Sequence, residues 1–188
     1  MAHLESGKPL RSRAWEPDEL RAFAPMAPLT LKPIVIVRNV DEGGLAGAAD
    51  AAPADLPSFA VSAALEAEVA GLDPEEAASL LAAYGIDEPA LGKVIDAVYR
   101  LLDLITFFTA GDDESRAWEL RRGASAPEAA GVIHSDIQRG FIRAEIIGYD
   151  DLVAAGSWNA AKAKGVLRLE GKDYKMVEGD VCHFRFAV

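Results

Sequence analysis

The chain holds a single cysteine, Cys182, in 188 residues. No internal disulfide can form, and a reducing, cytoplasmic location is expected. Its neighbour His183 invites a metal reading, but adjacent residues on a strand point to opposite faces and no further Cys or His lies close in sequence. No metal site is expected. No apolar run approaches the roughly 18 residues that span a bilayer, so no membrane partner is expected either. The N-terminal stretch "MAHLESGKPLRSRAW" lacks the apolar core of a secretory signal.

Positive charge is scarce, with 19 Lys and Arg against 30 Asp and Glu and a formal net charge of −11. The deficit is uneven: residues 1–104 hold 8 basic against 17 acidic side chains, and residues 105–188 hold 11 against 13. The acidic half repels nucleic acid, so RNA contact falls to a local patch in the second half. A phosphate loop is also missing. "GIDEPALGKV" and "GVLRLEGKDY" each contain a late Gly-Lys, but the glycine spacing is wrong and neither lysine precedes Ser or Thr. No Ser-His-Asp, paired-Glu or His-x-x-x-His constellation stands out, so no catalytic residue is assigned and the chain reads as a non-enzyme.

What is present is a 51% hydrophobic composition, enough for one good core or two small ones. Residues 1–30 are a polar lead with one short helix in "EPDELRAFAPM", opened by Pro17 and stopped by Pro25. The β-branched run Ile34 to Val37 reads as a strand covered on both faces, as in a parallel sheet, and Phe59 to Val61 as a second. Residues 43–56, mostly Ala, Gly and Pro, read as a loop or weak helix. "DPEEAASLLAAYG" is a helix with an Asp73 cap, Pro74 in the first turn and Gly85 at its end. A further helix over about 88–103 carries Leu91, Ile95, Val98 and Leu102 on one stripe that must pack on something.

From Ile105 the period changes to short strands, "ITFFTAG", "SRAWELRRG", "FIRAEIIGY", "VLRLEG" and "VCHFRFAV", which places the domain boundary near residue 104. Among them Ser125 and Glu128 form a capping box with Pro127 in the first turn, so a helix starts at Ala126. Its Ala126, Ala130, Ile133 and Ile137 share a face, and Gly140 separates it from the alternating strand that follows. His134 is expected in the last helical turn, favourable to the dipole, with Asp136, Arg139 and Arg143 close behind it. Phe107, Phe108, Trp118 and Phe141 read as core. Two strands, a helix and further strands predict an α+β fold whose C-terminal part is a β-grasp domain.

The blocks "AGVIHSDIQRGFIRAE" and "LEGKDYKMVEGDVCHFRF" resemble the C-terminal TGS domain of the Obg-like ATPases of the YchF type, with Glu178 in place of the usual Asp. Upstream, "LTLKPIVIVRNVDE" and "AVSAALEAEVAGL" resemble the last two base-recognition motifs of that family's P-loop domain. The resemblance implies that residues 1–104 are a remnant of a nucleotide-binding domain, truncated before its phosphate loop and switches, and that 105–188 are a TGS β-grasp. It assigns Asn39, Glu42, Ser62, Ala63 and Ala64 to the nucleotide base. It also makes His134, Asp136, Arg139 and Arg143 candidates for macromolecular contact.

The function implied is a non-catalytic TGS protein contacting the ribosome, RNA or a protein partner. The alternative is a regulator with weak ATP or GTP binding through the base pocket. Without a phosphate seat no cofactor is expected, and ATP or GTP would bind only weakly. The incomplete sheet implied by the resemblance exposes strand edges, so self-association through residues 31–66 is expected.

Overall fold

A computed structural model describes residues 2–45, 56–111 and 114–187, and the chain divides into two compact units, residues 1–101 and 102–188. Most of the 43–56 segment expected as a loop or weak helix, residues 46–55, lies outside the described residues.

Unit 1 begins with α1 (Ala2–Glu5) and α2 (Pro17–Phe23). Pro17 opens α2 as expected, and the Glu16 and Glu19 side chains cap it reciprocally. Trp15 lies edge-on between His3 and Phe23, with ring centroids 5.6 and 5.0 Å away. Two short strands follow, β1 (Ile36–Asn39) and β2 (Ser58–Val61), paired in parallel with Asn39 opposite Val61.

β1 starts two residues later than the apolar run suggests and runs on to Asn39. Nor is it covered on both faces, since Val37 is 42% exposed. Helices α3 (Ala63–Val69) and α4 (Pro74–Ala83) bury Leu65, Val69 and Leu81 against one another. Asp73 caps α4 as expected, accepting from the backbone N–H groups of Glu75 and Glu76.

Helix α5 (Ala90–Leu102) contradicts one expectation. Its stripe is only partly covered: no residue of α5 is buried, Val98 is half-buried, and Leu91 and Ile95 are 65% and 47% exposed. Periodicity fixes which side chains share a face, but only a neighbouring surface can bury them.

Unit 2 is a five-stranded sheet of β3 (Leu104–Ala110), β4 (Ser115–Arg121), β5 (Phe141–Gly148), β6 (Arg168–Glu170) and β7 (Asp180–Phe186), in the order β4-β3-β7-β5-β6. The central pair β3 and β7 is parallel, and every other pair is antiparallel. Helices α6 (Ala126–Ile133) and α7 (Ser135–Arg139) precede β5, while α8 (Tyr149–Ala155) and α9 (Trp158–Ala163) follow it.

Alternation along the strands builds two cores. Ile105, Phe107, Leu120, Ala144, Ile146 and Cys182 pack beneath α6, whose Ala126, Ala129 and Ala130 let it sit close to the sheet. Phe107 and Phe141 are core as read, with Trp118 packed at the edge. On the other face Ile147 and Val181 pack with Phe108, Leu152, Ala161 and Trp158. The helices α8 and α9 were not legible from periodicity, because an Ala-rich stretch of 15 residues carries too few large side chains to show a stripe.

Candidate functional site

The residues that the resemblance assigns to a nucleotide base lie at or just after the C-terminal ends of the parallel pair. Asn39 Oδ1 accepts from the Ala63 N–H at 3.0 Å, so the two loops are tied side chain to backbone. Ser62 is buried and caps α3, accepting from the Leu65 N–H at 3.4 Å. Its hydroxyl therefore serves the fold. Glu42 opens a single 3-10 turn whose Gly44 N–H is held by Asp41, and Ala64 is exposed.

Two cavities lie close by. One of about 380 Å³ touches Ser62, Glu66, Tyr84 and Lys93, and one of about 480 Å³, almost wholly apolar, touches Ala63, Val69, Pro89 and Leu91. Asn39, Glu42 and Ala64 line neither.

In unit 2 the structure brings together three of the four expected contact residues. His134 is not in the last helical turn. Its backbone is extended, it ends α6, and its Nδ1 accepts from the Asp136 N–H at 3.2 Å to cap the short helix α7. An extended residue cannot continue the helix, so its ring leaves the dipole position and becomes the cap of the next helix. Arg139 forms an ion pair with Asp136, and His134 Nδ1 lies 3.5 Å from the same carboxylate. All three side chains are at least half exposed.

Arg143 stands apart. Ala144 and Ile146 face the core under α6, so Arg143 and Glu145 project from the opposite face of the sheet. An irregularity between Phe141 and Arg143 lets Ile142 bulge out to solvent at 57% exposure. Arg143 then lies directly across from Arg185 of β7.

Sequence reasoning missed what shares this second face. Arg185 donates to Glu145 through Nε at 3.3 Å and a terminal nitrogen at 3.1 Å. That hydrogen bond is the main cause holding the Glu145 carboxyl below the usual carboxylate range. Burial opposes it, and the positive charges of Arg185 and Lys162 reinforce it. His183 stacks on Trp158 with centroids 3.9 Å apart and meets the Ala110 carbonyl through Nε2. The alternation in "VCHFRFAV" already aligned His183 with Arg185, but nothing local signalled Trp158.

A buried polar knot closes the sheet's end. The Asp180 carboxylate, 1% exposed, accepts from Arg168, from the Tyr174 hydroxyl and from the Val177 N–H at 2.9 to 3.1 Å. Burial raises the Tyr174 pKa, and its hydrogen bond to Asp180 raises it further. No group of three or more His, Cys, Asp or Glu among the described residues could hold a metal ion, and none of the described helices is long and apolar enough to cross a membrane.

Comparison with known proteins matches residues 104–187 to the family YchF-GTPase_C, described as a protein of unknown function (DUF933). The chain is 47% identical over 195 residues to the ribosome-binding ATPase YchF of Haemophilus ducreyi, covering 98% of this chain and 53% of that protein. It is 36% identical to the Obg-like ATPase 1 of Oryza sativa, covering 100% and 50%. The Schizosaccharomyces pombe YchF GTPase structure superposes with a TM-score of 0.83 at 31% identity, over 96% of this chain and 50% of that one. The chain thus spans about half the length of the curated relatives it matches. Residues 104–187 belong to the YchF-GTPase_C family, and the chain as a whole is similar to the C-terminal part of an Obg-like ATPase of the YchF type.

Proposed function

We propose that residues 105–188 are a TGS-type β-grasp domain that binds without catalysing, and that its target is the ribosome. The observation that carries this reading is the sheet order β4-β3-β7-β5-β6, parallel only at its central pair and crossed by α6, within a stretch that matches the YchF-GTPase_C family. Relatives bearing the name ribosome-binding ATPase supply the partner. The exposed His134, Asp136 and Arg139 group offers charged and polar contacts on the α6–α7 junction. No Gly-x-x-x-x-Gly-Lys-Ser/Thr stands in the 188 residues to hold a triphosphate, so these residues carry no ATP hydrolysis of their own.

The test is co-sedimentation of the purified chain with ribosomes. Pelleting with ribosomes that weakens for the His134→Ala/Arg139→Glu double variant supports the reading, and a chain that stays in the supernatant at low salt overturns it. ATPase activity above a buffer control would overturn the non-catalytic part.

A second reading rests on the Asn39 to Ala63 hydrogen bond, which holds the two base-motif loops together. In it, residues 1–104 are the remnant of a P-loop domain that binds an adenine or guanine nucleotide weakly. Calorimetric titration with ATP and GTP, with and without Mg²⁺, tests it. Heat that Asn39→Ala abolishes supports it. We propose further that unit 1 self-associates, because Val37, Leu91 and Ile95 leave apolar surface open.

A further inference from the structure

The two free edges of the five-stranded sheet are built differently. β6 is three residues long, whereas β4 runs for seven and pairs with β3 without a register shift. Shortness, bulges, prolines and lysines are what blunt an edge against other chains. The stretch Ser115–Arg121 has none of them. Ser115, Arg116, Ala117, Glu119 and Arg121 are exposed, and among the described residues no second strand pairs with β4.

The hydrogen bonds of the β3–β4 hairpin fix which backbone groups point outward. The Gly111 N–H donates to the Glu114 carbonyl at 2.9 Å and the Arg122 N–H to the Asp103 carbonyl at 2.8 Å, at the two ends of one continuous register. Antiparallel pairs alternate between bonded and non-bonded, so Arg116, Trp118 and Leu120 bond inward to β3. The N–H and C=O groups of Ser115, Ala117, Glu119 and Arg121 therefore face away from the sheet as an open row.

The side chains along this edge define what fits it. Trp118 and Leu120 belong to the core face under α6, and Trp118 is held by its Nε1–H donating to Thr109 Oγ1 at 3.0 Å, with the Arg116 guanidinium 4.2 Å over its ring. Residues 115–122 carry three arginines and one glutamate on a chain whose net charge is −11. Arg122 is paired with Asp103, which leaves Arg116 and Arg121 toward the two ends of the row, with apolar groups between them.

We propose that the β4 edge takes up an extended segment of a partner protein as an added antiparallel strand, with aliphatic side chains beside Trp118 and Leu120 and an acidic side chain opposite each of Arg116 and Arg121. In such strand addition the main-chain hydrogen bonds supply affinity and alternate side chains supply specificity. The antiparallel direction is the more stable per residue. A nucleic acid would meet the arginines but leave the backbone row unused. The edge is distinct from the α6–α7 junction that carries the ribosome reading, and strand addition does not depend on that reading.

The test uses the full chain and a fluorescein-labelled peptide Glu-Val-Thr-Ile-Val-Glu-Thr, whose antiparallel register sets its two Glu opposite Arg121 and Arg116, and its first Val and its Ile opposite Leu120 and Trp118. Anisotropy should report saturable binding. The same peptide N-methylated at its first Thr and second Val keeps every charge but loses donors to the edge, and should bind about tenfold or more weakly. Arg116→Glu/Arg121→Glu, both at exposed positions, should weaken binding by a similar factor. Amide exchange at Ala117, Glu119 and Arg121, fast in the free chain, should slow on peptide addition, while Trp118 and Leu120, already bonded to β3, should change little.

Equal binding of the N-methylated peptide overturns the proposal, because charge alone then suffices. So does exchange at Ala117, Glu119 and Arg121 that saturating peptide leaves unchanged. A chain that pellets with ribosomes yet binds no peptide at millimolar concentration overturns strand addition and leaves the proposed function standing.

Discussion

Arg168 on β6 reaches over β5 to the Asp180 carboxylate on β7, donating at 3.1 Å to a group that is 1% exposed. The two strands do not pair with each other, so this ion pair and the Tyr174 hydroxyl fasten the free edge strand to the sheet centre. Asp180→Ala strands the Val177 N–H, the Tyr174 hydroxyl and one cation without their acceptor. Breaking a buried pair costs about 3–5 kcal/mol, and the half-exposed Arg168 places this case at about 3 kcal/mol. Urea midpoints should show it. Glu170→Gln, at a looser 3.7 Å contact with Arg168, should leave the midpoint almost unchanged.

Gly140 is expected to tolerate no side chain. A Cβ placed there would lie 1.9 Å from the Ala187 carbonyl oxygen, and Ala187 itself donates its N–H to the Gly140 carbonyl at 2.9 Å. Backbone cannot swing aside as a flexible side chain does. Gly140→Ala should lower stability by about 1–3 kcal/mol, the range for overpacking, and should expose the C-terminal strand to faster amide exchange at Phe186 and Ala187. Unchanged exchange there would show that the end of β7 is placed elsewhere.

The start of α6 sets part of the acid stability. Ser125 donates to Glu128 through both its hydroxyl and its N–H at 2.6 Å, and these two bonds hold the Glu128 carboxyl below the usual carboxylate range, with Lys175 adding to them against a small opposing effect of burial. A carboxyl whose folded pKa is depressed contributes stability that is full above its unfolded pKa, about 4.3, and lost as pH falls through the folded value. Glu145, also depressed, acts in the same direction. Stability should therefore decline below about pH 4, and Glu128→Gln should make that decline shallower in denaturation titrations across pH 2–6.

Cys182 should be silent toward thiol reagents in the native chain. It lies in the core under α6 and is 0% exposed, and burial pushes its thiol pKa well up, helped by the Asp180 charge. Reaction with a chromogenic disulfide should appear only with unfolding, and prompt reaction in buffer would mean that this core opens readily.

Self-association of unit 1 should depend on the α5 stripe. Leu91, Ile95 and Leu102 are each more than a third exposed, and the apolar cavity touching Leu91 continues that surface. Light scattering on the full chain should report a mass above that of a monomer, and Ile95→Glu, by placing a charge in the middle of the stripe, should return it to monomer.

The sequence by itself determined the local choices. The Ser125 to Glu128 capping box and the Asp73 cap are decided by neighbours within a few residues and stand where the residues put them, whereas the alternation expected for Ile142, Ala144 and Ile146 holds only from Arg143 onward, because the irregularity after Phe141 turns Ile142 to solvent. The two short apolar runs marked β1 and β2 as strands, but the double coverage expected of them is absent, and their parallel pairing is a contact made across the strands. Tertiary structure decided everything that depends on what lies across a strand or over a face. It turned His134 from a helical residue into a cap between two helices, and it sent Arg143 to the face away from Asp136 and Arg139. It left Leu91, Ile95 and Leu102 of the α5 stripe exposed although their spacing asks for a partner. It also brought Trp158 onto His183 across 25 residues of chain, because the packing of α9 on the sheet, which no local period encodes, sets which side chains meet.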